Sequence, residues 1–114
     1  MTALSEWMDA YQRAWTSNDP GDIASLFTDD GVYLTEPYAD AWRGRDAIVA
    51  GWLAHSDEPA TWKFGWQPLV ESDGLCVVTG TTDYGDRKYS NLWVIRLAPD
   101  GRASEFTEWY MQHP

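Results

Sequence analysis

A chain of 114 residues, 44% hydrophobic and 23% charged, is long enough for one packed core and too apolar to be disordered. Its 18 acidic against 8 basic side chains give a formal charge of −10, a field that repels phosphate backbones and anionic lipid surfaces. Neither nucleic acid nor a membrane is therefore an expected partner, and no apolar run reaches the roughly 18 residues of a spanning helix.

The opening segment has the helical spacing of an amphipathic helix, with Leu4, Trp7, Met8, Tyr11 and Trp15 on one face. The first six residues lack the basic start and apolar run of a leader peptide, so a reducing cytoplasm is expected. Asn18-Asp19-Pro20 punctuates: Asp19 suits an N-cap and Pro20 the first helical position. A second, short helix is predicted to turn Ile23, Leu26 and Phe27 inward and to stop near Asp29-Asp30-Gly31. Val32 to Glu36 reads as a short strand ended by Pro37. Arg43-Gly44-Arg45-Asp46 leads into a third helix with Ile48, Val49, Trp52 and Leu53 as its buried stripe.

After His55-Ser56-Asp57-Glu58-Pro59 the period changes to two. Trp62, Phe64 and Trp66 alternate with Lys63, Gly65 and Gln67, as in a half-buried strand, and Pro68 implies an edge or a bulge. Ser72-Asp73-Gly74, Tyr84-Gly85-Asp86 and Pro99-Asp100-Gly101 are turn signals that delimit strands at 75–83, 88–97 and 103–111. Cys76, the single cysteine, lies in an apolar run and is expected to be a buried, inert thiol. Eight tryptophans exceed what a core of this size needs, which points to rings lining a cavity or an interface.

Helices first, then a run of long antiparallel strands, is an α+β layout in one domain over residues 1–114. The chain resembles the nuclear transport factor 2-like superfamily, which includes SnoaL-like polyketide cyclases and ketosteroid isomerases. The residues that carry the resemblance are Trp15…Asn18-Asp19, the run Ile23 to Val32, Glu36-Pro37, Gly44 to Ile48, and Asp100-Gly101-Arg102…Phe106 to Tyr110. It implies a cone-shaped α+β barrel: three N-terminal helices packed against a strongly curved, mainly antiparallel sheet. A pocket at the open end and a homodimer packed through the sheet are implied with it. No reaction is implied, because the superfold hosts isomerases, cyclases, hydrolases, dehydratases and plain binding proteins.

By that resemblance Glu36, directly before Pro37, stands where the isomerases keep their general base. A partly desolvated carboxylate there would have a raised pKa suited to proton shuttling; otherwise it is a solvated acid at a strand end. Tyr11 is placed like the isomerases' oxyanion-hole tyrosine, and equally fits a core ring whose hydroxyl bonds a neighbour. Trp93 occupies the position of the isomerases' protonated acid, whose proton-sharing an indole cannot reproduce, so ketosteroid isomerisation itself is not expected.

On the last strand, registering against Gly101 puts Phe106, Glu108 and Tyr110 on the pocket face. SnoaL-like cyclases carry an acid-base aspartate on this strand. Glu108 between two rings needs either a role or a structural partner such as Arg43, Arg45 or a hydroxyl. If Glu36 and Glu108 both face the cavity, repulsion would split their pKa values into an acid and a base. Asn91 and Trp93 share a strand face and, with Trp66, Phe106 and Tyr110, are candidates to hold a flat apolar ligand.

His55 and His113 have no acidic cluster at metal-ligand spacing, no nucleophile elbow frames a serine, and no phosphate-cradling glycine loop is present. No metal and no cofactor are expected. Two functions stay open: a cofactor-independent acid-base enzyme acting on a hydrophobic small molecule through Glu36 or Glu108, and a non-catalytic homodimeric binding or structural domain.

Overall fold

The structure is a computed structural model that describes residues 2–38, 40–55 and 62–114. Helix α1 (Ala3–Ser17) opens on a capping box, with the Thr2 hydroxyl accepting from the Ser5 amide, and closes at Asn18 in the left-handed conformation (φ 51°). Leu4, Trp7, Met8, Tyr11 and Ala14 form its buried face. Helix α2 (Pro20–Ala24) is capped by Asp19, whose carboxylate accepts from the Asp22 amide at 3.1 Å. Only Ile23 of the expected stripe belongs to this helix. Leu26 lies in the turn, and Phe27 begins strand β1 (Phe27–Leu34), which starts earlier and ends earlier than the 32–36 segment read from sequence. The i, i+3, i+4 spacing of Ile23, Leu26 and Phe27 imitates a helix because chain reversal buries all three.

A two-residue strand β2 (Trp42–Arg43), not anticipated, pairs with β1 and leads into helix α3 (Arg45–Ala54). Ile48 and Trp52 are buried and Val49 packs at the core's edge, whereas Leu53 is 39% exposed rather than inward. Gly51 sits inside α3 because Trp42 lies flat against it: a Cβ there would stand 2.4 Å from the indole. The expected punctuation at Ser56 to Pro59 lies outside the described residues.

Strands β3 (Lys63–Ser72), β4 (Leu75–Asp83), β5 (Lys88–Leu97) and β6 (Ala103–Gln112) follow as an antiparallel meander. The sheet order is β2-β1-β6-β5-β4-β3, with β1 and β6 parallel and every other pair antiparallel. β3 is an edge strand whose register shifts between Pro68 and Val70, where the proline has no N–H to give the ladder. The curved sheet wraps the helices, so the core is α1, α2 and α3 side chains against Val78, Trp93, Ile95 and Phe106. Cys76 is buried in β4, and burial raises its thiol pKa. Among the described residues no helix is long and apolar enough to cross a membrane.

Gly80 on β4 is covered by Phe64, whose ring stacks in turn on Trp93 (5.0 Å, 15°). A Cβ at position 80 would meet that ring at 2.8 Å and the Gly65 carbonyl oxygen at 3.0 Å. Gly80→Ala should therefore cost about 1–3 kcal/mol by overpacking, read as a lower urea midpoint at unchanged slope; an unaltered midpoint would refute this packing.

Candidate functional site

The sheet together with α1 and α3 lines an open cavity of about 330 Å³. Its walls are Trp15 from α1, Tyr33 from β1, Trp42 from β2, Trp52 from α3, and Tyr84 and Tyr89 at the β4–β5 end. Tyr11, Thr82, Asn91, Trp93 and Glu108 supply further lining, and Thr35, His55, Arg87 and Tyr110 complete it.

The polar part is built by strand register. Trp93 and Glu108 are directly opposed on β5 and β6, and Asn91 lies two residues from Trp93 on the same face. Asn91 Nδ2 donates to Glu108 Oε2 at 2.7 Å, and Trp93 Nε1 donates to the same oxygen at 2.9 Å. The Thr82 hydroxyl donates to Asn91 Oδ1 at 2.7 Å, which fixes the amide with its NH₂ toward the carboxylate. Two oriented N–H donors thus converge on Glu108, one of them set by Thr82, and the acid is a half-buried side chain among largely buried neighbours. Asn91 and Trp93 are thus partners of this acid that the sequence reading did not name. Arg45 bonds Asp29 at 2.6 Å and the Phe27 carbonyl.

A second polar pair faces the cavity. The Tyr11 and Tyr33 hydroxyls are 3.0 Å apart, one donating to the other. Burial, then Tyr33, then the Glu108 charge hold the Tyr11 pKa well above the usual phenol value, so it remains a neutral hydroxyl. Tyr11 is also a core ring, 4.7 Å from Trp93 and stacked on Phe106 at 5.7 Å. It serves both as packing and as cavity wall.

Glu36 takes the second of its two readings, a solvated acid at a strand end. It is not among the residues lining the cavity, and its carboxylate faces solvent, accepting from the Tyr110 hydroxyl at 2.5 Å. That bond first, and one from Tyr38 second, lower its pKa, the opposite of the raised value expected from desolvation. The same bond pushes the Tyr110 phenol up to about 12. Two carboxylates splitting their pKa values inside the cavity is thus not what the chain builds. Tyr110→Phe should raise the Glu36 titration midpoint part of the way to the ordinary value of about 4.3, the Tyr38 bond remaining; carboxyl NMR measures this. Because the folded value is the lower one, the bond stabilises the fold fully above the unfolded carboxyl's pKa. That contribution disappears as pH falls through the folded value.

Asn91 and Tyr110 line the cavity, and so does the Trp93 ring, whose N–H donates to Glu108. Phe106 is fully buried beneath the cavity, and Trp66 packs half-buried on the core; neither lines it. Trp62 and Phe64 likewise act from behind, Trp62 stacking on Trp15 at 3.9 Å. Trp15, Trp42, Trp52, His55 and Arg87 were missed as lining residues. The helix stripes hid two of them as core, and Arg87 read only as part of a turn. Among the described residues no group of three or more His, Cys, Asp or Glu is placed to hold a metal ion.

Residues 8–112 match the family model described as SnoaL-like domain. An NTF-2 like protein of unknown function from Burkholderia xenovorans LB400 superposes with a TM-score of 0.75 at 16% identity, over 98% of this chain and 88% of its own. A protein from Sphaerobacter thermophilus gives 0.75 at 20% identity, covering 94% of each chain. A steroid delta-isomerase from Pseudomonas aeruginosa gives 0.66 at 18%, over all of this chain and 82% of its own. No curated protein matches. At these identities the likeness is one of fold.

Proposed function

This chain belongs to the SnoaL-like domain family, and we propose that it is a small-molecule-binding domain whose ligand sits between the aromatic walls and is anchored by Glu108. The observation that carries the reading is the Glu108 carboxylate, held at the cavity by Asn91 and Trp93 on one oxygen. A half-buried acid oriented by neutral donors within a lined cavity is the arrangement of a ligand handle. At about 330 Å³ the space is at the low end of the roughly 300–1,000 Å³ usual for such sites, so the ligand is small.

A second reading is favoured by the Tyr11–Tyr33 hydroxyl pair in the same cavity. Glu108 would take a proton from a ligand C–H and one phenol, itself accepting from the other, would donate to the oxygen where charge develops, an acid-base step that uses no cofactor. One domain over residues 1–114, a cytoplasmic setting and a homodimer belong to the same proposal. Trp109 and Met111, exposed on the β6 face opposite Glu108, are the surface a second copy would cover.

Native mass spectrometry of the purified protein tests the binding reading, with a retained small ligand and a dimer as the expected result. The recovered ligand, incubated with protein in D₂O, then separates the two readings. Deuterium uptake that Glu108→Gln abolishes establishes proton transfer, and an unchanged ligand mass establishes binding alone.

A further inference from the structure

The described cavity lining contains no aliphatic side chain. Four tryptophans and five tyrosines supply the walls, and the remaining positions are Thr, Asn, His, Arg and Glu. Sites for neutral apolar molecules are lined largely by hydrophobic side chains, aliphatic as well as aromatic, because burial alone is the driving force. Walls made only of electron-rich rings offer something aliphatics cannot, an attraction for positive charge over each ring face. Several of these rings pack on one another along the wall: Tyr11 and Trp52 are 5.0 Å apart and tilted by 54°, and Trp15 stands edge-on to Tyr11. A carboxylate stands among them.

Resting on the reading of this cavity as a ligand site, we propose that its ligand is a small alkylammonium ion. The methyl or methylene groups would lie against the indole and phenol faces, with the charged nitrogen near Glu108. The chain's net charge of −10 favours the approach of cations over anions in general. Arg87 and His55 are the basic side chains among the described lining residues and must be accommodated. The Arg87 guanidinium lies 4.6 Å over the Tyr84 ring and 3.3 Å from Asp86, so a carboxylate matches its charge. Its seat on Tyr84 is a cation–ring contact of the type proposed for the ligand. His55 stacks on Trp42, their planes 3° apart.

Isothermal titration with three probes tests the proposal on the full chain: choline, its neutral carbon isostere 3,3-dimethyl-1-butanol, and neutral flat 2-naphthol. Choline should bind at least about tenfold more tightly than the isostere, the difference being the positive charge. Glu108→Gln, checked for native circular dichroism, should weaken choline by about tenfold or more and the neutral alcohol by a clearly smaller factor. Equal affinity for choline and its isostere overturns the proposal, as does binding of 2-naphthol without choline; in both cases the cavity stands as a ligand site. Binding of none of the three overturns the ammonium proposal together with the cavity reading on which it rests.

Discussion

Trp93→Ala is expected to remove about 3–5 kcal/mol of folding stability, the largest loss of any single truncation considered. The side chain is 2% exposed and central to the aromatic core. Its ring centroid lies 4.7 Å from Tyr11, 5.0 Å from Phe64 and 5.1 Å from Phe106, so truncation strips contacts from α1, β3 and β6 together. The surrounding rings are held by their own partners and cannot collapse far into the space. Trp93→Phe separates packing from polarity: it keeps most of the ring contacts but removes the N–H bonded to Glu108. Its expected loss is the smaller, about 1.5–3 kcal/mol for a hydrogen bond to a charged group. Urea denaturation of the two variants checks the order. A Phe variant as unstable as the Ala variant would show that the indole N–H, not ring packing, dominates.

The second large effect concerns the acid itself. Glu108→Leu and Glu108→Gln both delete the charge but leave different neighbours behind. With Leu, Asn91 can rotate its amide and exchange partners with Thr82, whereas the Trp93 N–H has no such alternative. At least one buried donor is orphaned, for about 1–3 kcal/mol. Gln keeps an acceptor oxygen for one of the two N–H groups and should be the more stable of the pair. Thermal melts in the absence of ligand decide this, and a Leu variant at least as stable as wild type would mean that the carboxylate is held at a net cost. In either variant, affinity for the cavity ligand should fall even where the fold survives.

The meander strands were legible because their turns leave little choice. Asp73, Gly74, Gly85 and Gly101 all take positive φ, and the elements change at those residues. Period two then counts from Gly101 to place Glu108 and Tyr110 on the cavity face. What lay beyond local pattern was set by contacts between distant segments. Glu36 reads as a pocket acid until the Tyr110 hydroxyl, 74 residues away, is found to hold it outward. The partners of Glu108 follow from β5–β6 register, which puts Trp93 opposite it; no spacing within either strand announces that. The early start of β1 was masked for the same reason. Asp29 and Asp30 are exposed and interrupt any alternation, and the strand is defined by pairing Phe27 with Ala103.

That pairing bears on how the molecule comes into being. β6 is the last strand in chain order, yet in the sheet it lies between β1 and β5. Until residues 103–112 emerge from the ribosome, the first third of the chain and the meander have no ladder joining them. Nascent chains must therefore wait with β1 and β5 edges open, a long-range closure that slows folding and exposes strands to wrong partners. Glu108 is carried on the same segment, so the cavity acquires its acid in the step that closes the sheet.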